Sequence, residues 1–132
     1  MTVLVVDDES LTRQILVRYI TDLGYETVEA KDGEEAIRAL AAGTFDAMFL
    51  DIFMPVRDGF EVLAWLREQG LTEMPVIVFS EANVRFNVDF QEMAERLGAL
   101  RAYDKPVTLE KVRVALGEAA AINTAARRGG RL

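Results

Sequence analysis

Apolar runs and helix-period stretches alternate along the whole chain. Residues 3–6, VLVV, form a continuous apolar run that ends in acids. Leu11, Ile15, Tyr19, Ile20 and Leu23 then recur at helical spacing, and Gly24 follows as a stop. ETVEA (26–30) alternates as a half-exposed strand does. Asp32 stands three residues before Glu35, a capping-box pattern, and opens a helix that runs to Ala42 and meets Gly43. AMFL (47–50) is again continuous and ends at Asp51. Asp58 and Glu61 frame another helix start, with Phe60, Leu63, Trp65 and Leu66 as its apolar residues. VIVF (76–79) ends at Ser80. Phe86, Phe90, Met93 and Leu97 are spaced as a core-facing helix stripe closed by Gly98, with Val84 and Val88 off that stripe and expected to be exposed. LRAYD (100–104) is a mixed strand ending at Lys105, and Thr108 caps a last helix carrying Leu109, Val112 and Leu116.

This is a βα unit repeated five times, which predicts an α/β fold with a parallel five-stranded sheet, five helices and right-handed crossovers. Strands buried on both faces read as continuous apolar runs. The first, third and fourth strands do so, whereas the second and fifth are more polar and belong at the edges. The doubly wound order 2-1-3-4-5 satisfies this. In such sheets ligands bind outside the carboxyl ends of the strands, at the switch point between strands 1 and 3. That rule alone brings Asp7, Asp8, Asp51, Ser80 and Lys105 to one edge.

Composition narrows the chemistry. The chain has 132 residues, enough for one domain. It contains no Cys and no His, which removes disulfides, thiol and imidazole catalysis and most zinc sites. The net charge of −7 and the lack of a basic stripe argue against direct nucleic-acid binding. No apolar run is long enough to span a bilayer, and the start lacks the features of a signal peptide, so the reading is cytoplasmic. AARRGGRL, with three Arg and two Gly, reads as part of a frayed or disordered tail over 119–132, leaving 1–118 as the domain.

Two unit charges ~4 Å apart repel by about 4 kcal/mol at an effective dielectric near 20. A proton or a cation must relieve the acidic cluster. Oxygen donors without nitrogen or sulfur suit a hard cation, and an open site with few carboxylates suits Mg²⁺. The Lys105 ammonium, the Ser80 hydroxyl and a metal around one carboxylate would clamp a phosphoryl group. The central carboxylate can then act as nucleophile and form an aspartyl phosphate. Each residue alone has a plainer reading: Asp7 and Asp8 as helix caps, Asp51 as a turn residue, Lys105 as a solvated charge. The combination carries the signal. Trp65 and Tyr25 carry none.

The segments VVDDES, FLDIFMPVRDGFEVL, VIVFS and YDKPV together resemble the receiver domain of bacterial response regulators, of the single-domain, chemotaxis-regulator kind with a flavodoxin-like fold. The resemblance covers residues 1 to about 118. It implies a signalling phosphoacceptor rather than an enzyme, limited to autophosphorylation from small donors and autodephosphorylation. It implies that Asp51 takes a phosphoryl group from a sensor histidine kinase or a phosphotransfer protein. Asp8 and Asp7 would hold Mg²⁺ with Asp51 and the backbone carbonyl of Phe53. Ser80 and Lys105 would contact the phosphoryl group, and Lys105–Pro106 would be cis. Output would be a protein–protein contact through about residues 86–117.

Three features depart from the family pattern. Ala102 stands where an aromatic that swings inward is usual, and the adjacent Tyr103 must face the opposite side of the sheet. Glu81 follows Ser80 where a small residue is usual. Ser80 and Lys105 are 25 positions apart, about three more than the family spacing, and the excess falls in EANVRFNVDF. Phe53 is expected to shield an acyl phosphate and slow its hydrolysis. A phosphorylation-independent interaction module is the alternative that Ala102 and Glu81 motivate. A flavin-binding protein is disfavoured because DDES would repel a phosphate. A phosphatase of haloacid-dehalogenase type is disfavoured because Phe53 occupies the place of its second Asp.

Overall fold

A computed structural model describes residues 1–81 and 89–129. The elements are β1 (Thr2–Val6), α1 (Ser10–Asp22), β2 (Glu26–Ala30), α2 (Gly33–Ala42), β3 (Ala47–Asp51), α3 (Gly59–Glu68), β4 (Val76–Ser80), α4 (Phe90–Arg96), β5 (Arg101–Asp104) and α5 (Leu109–Gly129). The five strands are parallel, in the order β2-β1-β3-β4-β5 that the sequence predicts. Every residue of β3 and β4 is buried, whereas β2 and β5 are largely exposed at the edges.

Side chains alternate across the sheet and split the core in two. Leu4, Val6, Met48, Leu50 and Val78 meet Leu40, Val62, Leu63 and Leu66 of α2 and α3. Val3, Val5, Phe49, Ile77 and Phe79 meet Leu16 and Ile20 of α1 and Val112 and Leu116 of α5. Asp32 and Asp58 accept the backbone N–H of Glu35 and Glu61 at 2.8 and 2.9 Å, so both helix starts stand where their sequence signals place them. Thr108 accepts from the Lys111 N–H at 3.2 Å at the start of α5.

Four readings change. In α1 the core stripe is Leu16 and Ile20, while Leu11 is 65% exposed and Ile15 also faces out. Two i, i+4 series run side by side on this helix, and only one can face the sheet. In α4, Ala94 is the buried residue and Met93 is 41% exposed, so the expected stripe is not all core. Phe86, Val84 and Val88, and most of EANVRFNVDF, lie outside the described residues. Leu109, expected on the apolar face of α5, is exposed. Finally, α5 continues as helix through Gly129, so the stretch expected as a frayed tail from 119 is helical that far. Ala119 is buried, Asn123 Nδ2 donates to the Asp46 carbonyl at 3.0 Å, and Arg127 lies 3.7 Å from the Asp46 carboxylate. These contacts hold the alanine-rich extension against the start of β3.

Candidate functional site

β1, β3, β4 and β5 end side by side, delivering Asp7, Asp51, Ser80 and Lys105 to one edge of the sheet. Asp7 and Asp51 are 1% and 4% exposed, and Asp8 is open to solvent. One carboxylate oxygen from each of the three lies within 4.8 Å of the others. Lys105 Nζ reaches in from β5, 3.1 Å from Asp7 Oδ2 and 3.5 Å from Asp51 Oδ1. Asp7 Oδ1 accepts the Glu9 N–H at 2.9 Å. The Asp7 backbone is held from both directions: its N–H donates to Ala30 O at 3.2 Å and its carbonyl accepts from Arg13 Nη1 at 2.8 Å.

The Lys105–Pro106 peptide is cis, and the Lys105 N–H donates to the Ser80 carbonyl at 2.9 Å. Ser80 is buried at the end of β4. The structure therefore brings Asp7, Asp8, Asp51 and Lys105 together and sets Ser80 beside them at the strand end. Above Asp51 opens a cleft of about 320 Å³ lined by Asp8, Glu9, Asp51, Phe53, Glu81 and Lys105. Glu81 is exposed on its rim. A larger groove of about 580 Å³, which includes Leu40, Phe45, Trp65 and Met74 in its lining, lies at the far edge of the sheet and holds no comparable charged cluster.

Electrostatics follow from burial. Loss of solvent, reinforced by the Asp7 charge, pushes the Asp51 carboxyl up to about 7 despite the opposing pull of Lys105. Burial also raises Asp7, against the Glu9 N–H bond and Lys105. Burial works against the Lys105 ammonium, but Asp51 and Asp7 together raise it. Three carboxylates faced by one ammonium are under-compensated. All-oxygen donors beside an open cleft fit a hard divalent cation such as Mg²⁺.

The loop from Asp51 to α3 is built by close backbone approach. The Gly59 N–H donates to Ile52 O at 2.8 Å, and a Cβ at Gly59 would stand 2.5 Å from Asp51 O. A Cβ at Gly33 would collide with Arg57 O, and Arg57 also pairs with Glu34 at 3.1 Å. Between them, the Arg57 N–H reaches back to Pro55 O at 2.8 Å and forces Val56 to φ +69°. A β-branched residue there is a true outlier.

Sequence reasoning missed Glu9 as a cleft wall, Arg13 as the clamp on the Asp7 carbonyl, and the close approach at Gly59. An Asp-Gly pair at a helix start was the only available hint for the last. It had the departures right in one respect. Ala102 packs on the α2–α4 side of the sheet, and Tyr103 faces the other side, its ring 5.4 Å from that of Phe79.

Comparison with known proteins agrees with this architecture. Residues 3–117 match the response regulator receiver domain family. The chain is 32% identical over 124 residues to the autoinducer 1 sensor kinase/phosphatase LuxN of Vibrio campbellii, covering 94% of this chain and 14% of that protein. It is 36% identical over 112 residues to the response regulator MprA of Mycobacterium avium, covering 85% of this chain and 47% of that one. It thus spans less than half the length of either relative. Among solved structures, the response regulator TrrA of Thermotoga maritima, in complex with Mg²⁺–BeF, superposes with a TM-score of 0.74 at 28% identity, over 89% of this chain and 97% of that one. Among the described residues no helix is long and apolar enough to cross a membrane. By fold, by site geometry and by the span of the match, the chain belongs to the response regulator receiver domain family.

Proposed function

We propose that Asp51 is the phosphoacceptor of this chain in a Mg²⁺-dependent reaction. The observation that carries it is the convergence of Asp7, Asp8 and Asp51 on one point, with Lys105 Nζ 3.5 Å from Asp51. The acceptor carboxylate is buried, yet it opens on a cleft that can admit a donor. An oxygen of Asp51 adds to the donor's phosphorus as the bond to the leaving group breaks, giving an acyl phosphate. In this reading Lys105 neutralises charge on the transferred oxygens, and the Ser80 hydroxyl, from the neighbouring strand end, would donate to one of them. Asp7, Asp8, Asp51 and the Phe53 carbonyl would hold Mg²⁺. When bound, the ion would supply charge neutralisation and share phosphoryl oxygens. Arg13 and the Glu9 N–H fix Asp7 for that role.

The donor in this reading is a sensor histidine kinase or a histidine phosphotransfer protein, in keeping with a relative named as a sensor kinase/phosphatase. Small phosphodonors and autodephosphorylation complete its chemistry, with no further enzymatic activity. Residues 1–118 form the receiver unit, it works in the cytoplasm, and it answers phosphorylation by changing a contact with a target protein. The surface for that contact is about residues 86–117, of which 89–117 are described. Ala102 and the acid Glu81 on the rim favour a second reading, an interaction module indifferent to phosphorylation. Intact-mass measurement after incubation with acetyl phosphate and Mg²⁺ separates the two. One added phosphoryl group, absent in Asp51→Asn, is expected under the first, and an unchanged mass under the second.

A further inference from the structure

A chain of aromatic rings links the rim of the cleft to helix α4. Phe53 lies two residues past Asp51, lines the cleft and is 42% exposed. Its ring meets the ring of Phe90 edge-on, with centroids 5.0 Å apart and planes at 87°. Phe90 is the first residue of α4, fixed there by Asp89, whose carboxylate accepts the Glu92 N–H at 3.0 Å. Behind it stands Phe60 of α3, with centroids 6.1 Å apart. Phe60 is partly buried and packs against the core, and its neighbour Gly59 is bonded to Ile52 O. Phe90 is thus held between a fixed ring and a ring on the rim. Edge-to-face contacts of this kind are favourable and sensitive to orientation. Ala102 offers only a methyl group on this side of the sheet.

We propose that Phe90 is a positioning residue: through its ring, the placement of α4 holds Phe53 against the cleft and sets how readily water reaches a phosphoryl group on Asp51. This rests on the reading of Asp51 as phosphoacceptor. In hydrolysis, water adds to phosphorus, the bond from phosphorus to the Asp51 oxygen breaks, and carboxylate and inorganic phosphate result. The coupling is reciprocal. A group on Asp51 that displaces Phe53 shifts α4, and a target that binds α4 changes the lifetime of the acyl phosphate.

The test uses Phe53→Ala, Phe90→Ala, the double variant and Phe90→Tyr, read in two ways. Loss of phosphoryl mass after removal of donor should be roughly five-fold faster in either alanine variant. The double variant should be no faster than Phe53→Ala, and Phe90→Tyr should keep the wild-type rate. In metal-free protein, Phe53→Ala should speed amide exchange in α4 roughly five-fold while leaving β3 unchanged. If Phe90→Ala disrupts α4, Phe90→Leu keeps apolar volume without the ring edge and takes its place. An unchanged lifetime in Phe90→Ala, or in Phe90→Leu where that takes its place, additive effects in the double variant, or unchanged α4 exchange overturns the coupling. Wild-type protein that takes no phosphoryl group at all overturns the Asp51 reading and the coupling with it.

Discussion

Lys105 Nζ lies closer to Asp7 than to Asp51, at 3.1 against 3.5 Å. The ammonium therefore occupies the charge that a metal would claim. Lys105→Met should destabilise the metal-free protein by about 2–4 kcal/mol at neutral pH, because two buried carboxylates lose their only cation among the described residues. The same change should tighten Mg²⁺ binding several-fold, since the competitor for Asp7 is gone. Urea unfolding and calorimetric titration check the two arms. Weaker Mg²⁺ binding in the variant would contradict this account of the site.

The buried carboxyl of Asp51 makes metal-free stability fall with pH. Its group titrates near 3.8 when unfolded and about 7 when folded. Between those values the folded state binds the extra proton, so raising pH favours unfolding. Asp7 is raised too and acts in the same direction. Relative to Asp51→Asn, the wild type should lose up to about 4 kcal/mol between pH 4 and 7 in the presence of a chelator. Unfolding curves at several pH values measure the difference, and parallel pH profiles for the two proteins would refute it.

Gly59→Ala should damage both fold and site. The added Cβ would stand 2.5 Å from Asp51 O and 2.8 Å from Ile52 Cα, atoms that cannot swing aside. A loss of roughly 2–3 kcal/mol is expected by thermal unfolding, together with slower phosphorylation. Wild-type stability would mean that the loop yields more readily than these contacts allow.

Val56→Gly should stabilise the protein by about 1 kcal/mol. Val56 is 75% exposed, so little packing is lost, and glycine removes the strain at φ +69°. Chemical denaturation reads this directly. A destabilised variant would show that the Val56 side chain makes a contribution beyond its backbone.

Glu81→Ala should speed labelling by acetyl phosphate several-fold at low ionic strength. Glu81 shares the cleft with Asp8 and Glu9, and an anionic donor must approach past all three. The gain should shrink as salt rises through about 0.1 M, where exposed charges are screened. A salt-independent effect would point to sterics instead.

The ends of β1, β3 and β4 were legible because a run buried on both faces cannot be disguised. VLVV, AMFL and VIVF each stop at the residue that the site uses. What was not legible depends on contacts between distant segments. Leu11 and Leu16 both begin apolar i, i+4 series, and only the sheet decides which is core. The local composition of AARRGG suggested a tail, but Asn123 bonds to Asp46, 77 positions away, and the helix continues. The strain at Val56 comes from a turn closed by Pro55 and Arg57, and no residue there advertises it. The contact between Phe53 and Phe90 joins two loop ends with no shared periodicity.

The most direct test of the central claim is to locate the label. Protein treated with acetyl phosphate and Mg²⁺ is reduced with borohydride, which converts an acyl phosphate to an alcohol, and its peptides are mapped by mass spectrometry. The account predicts the mass change of a reduced carboxyl at Asp51, lost when Mg²⁺ is withheld. Modification confined to Asp7, Asp8 or another carboxylate, or none at Asp51 in labelled protein, would contradict it.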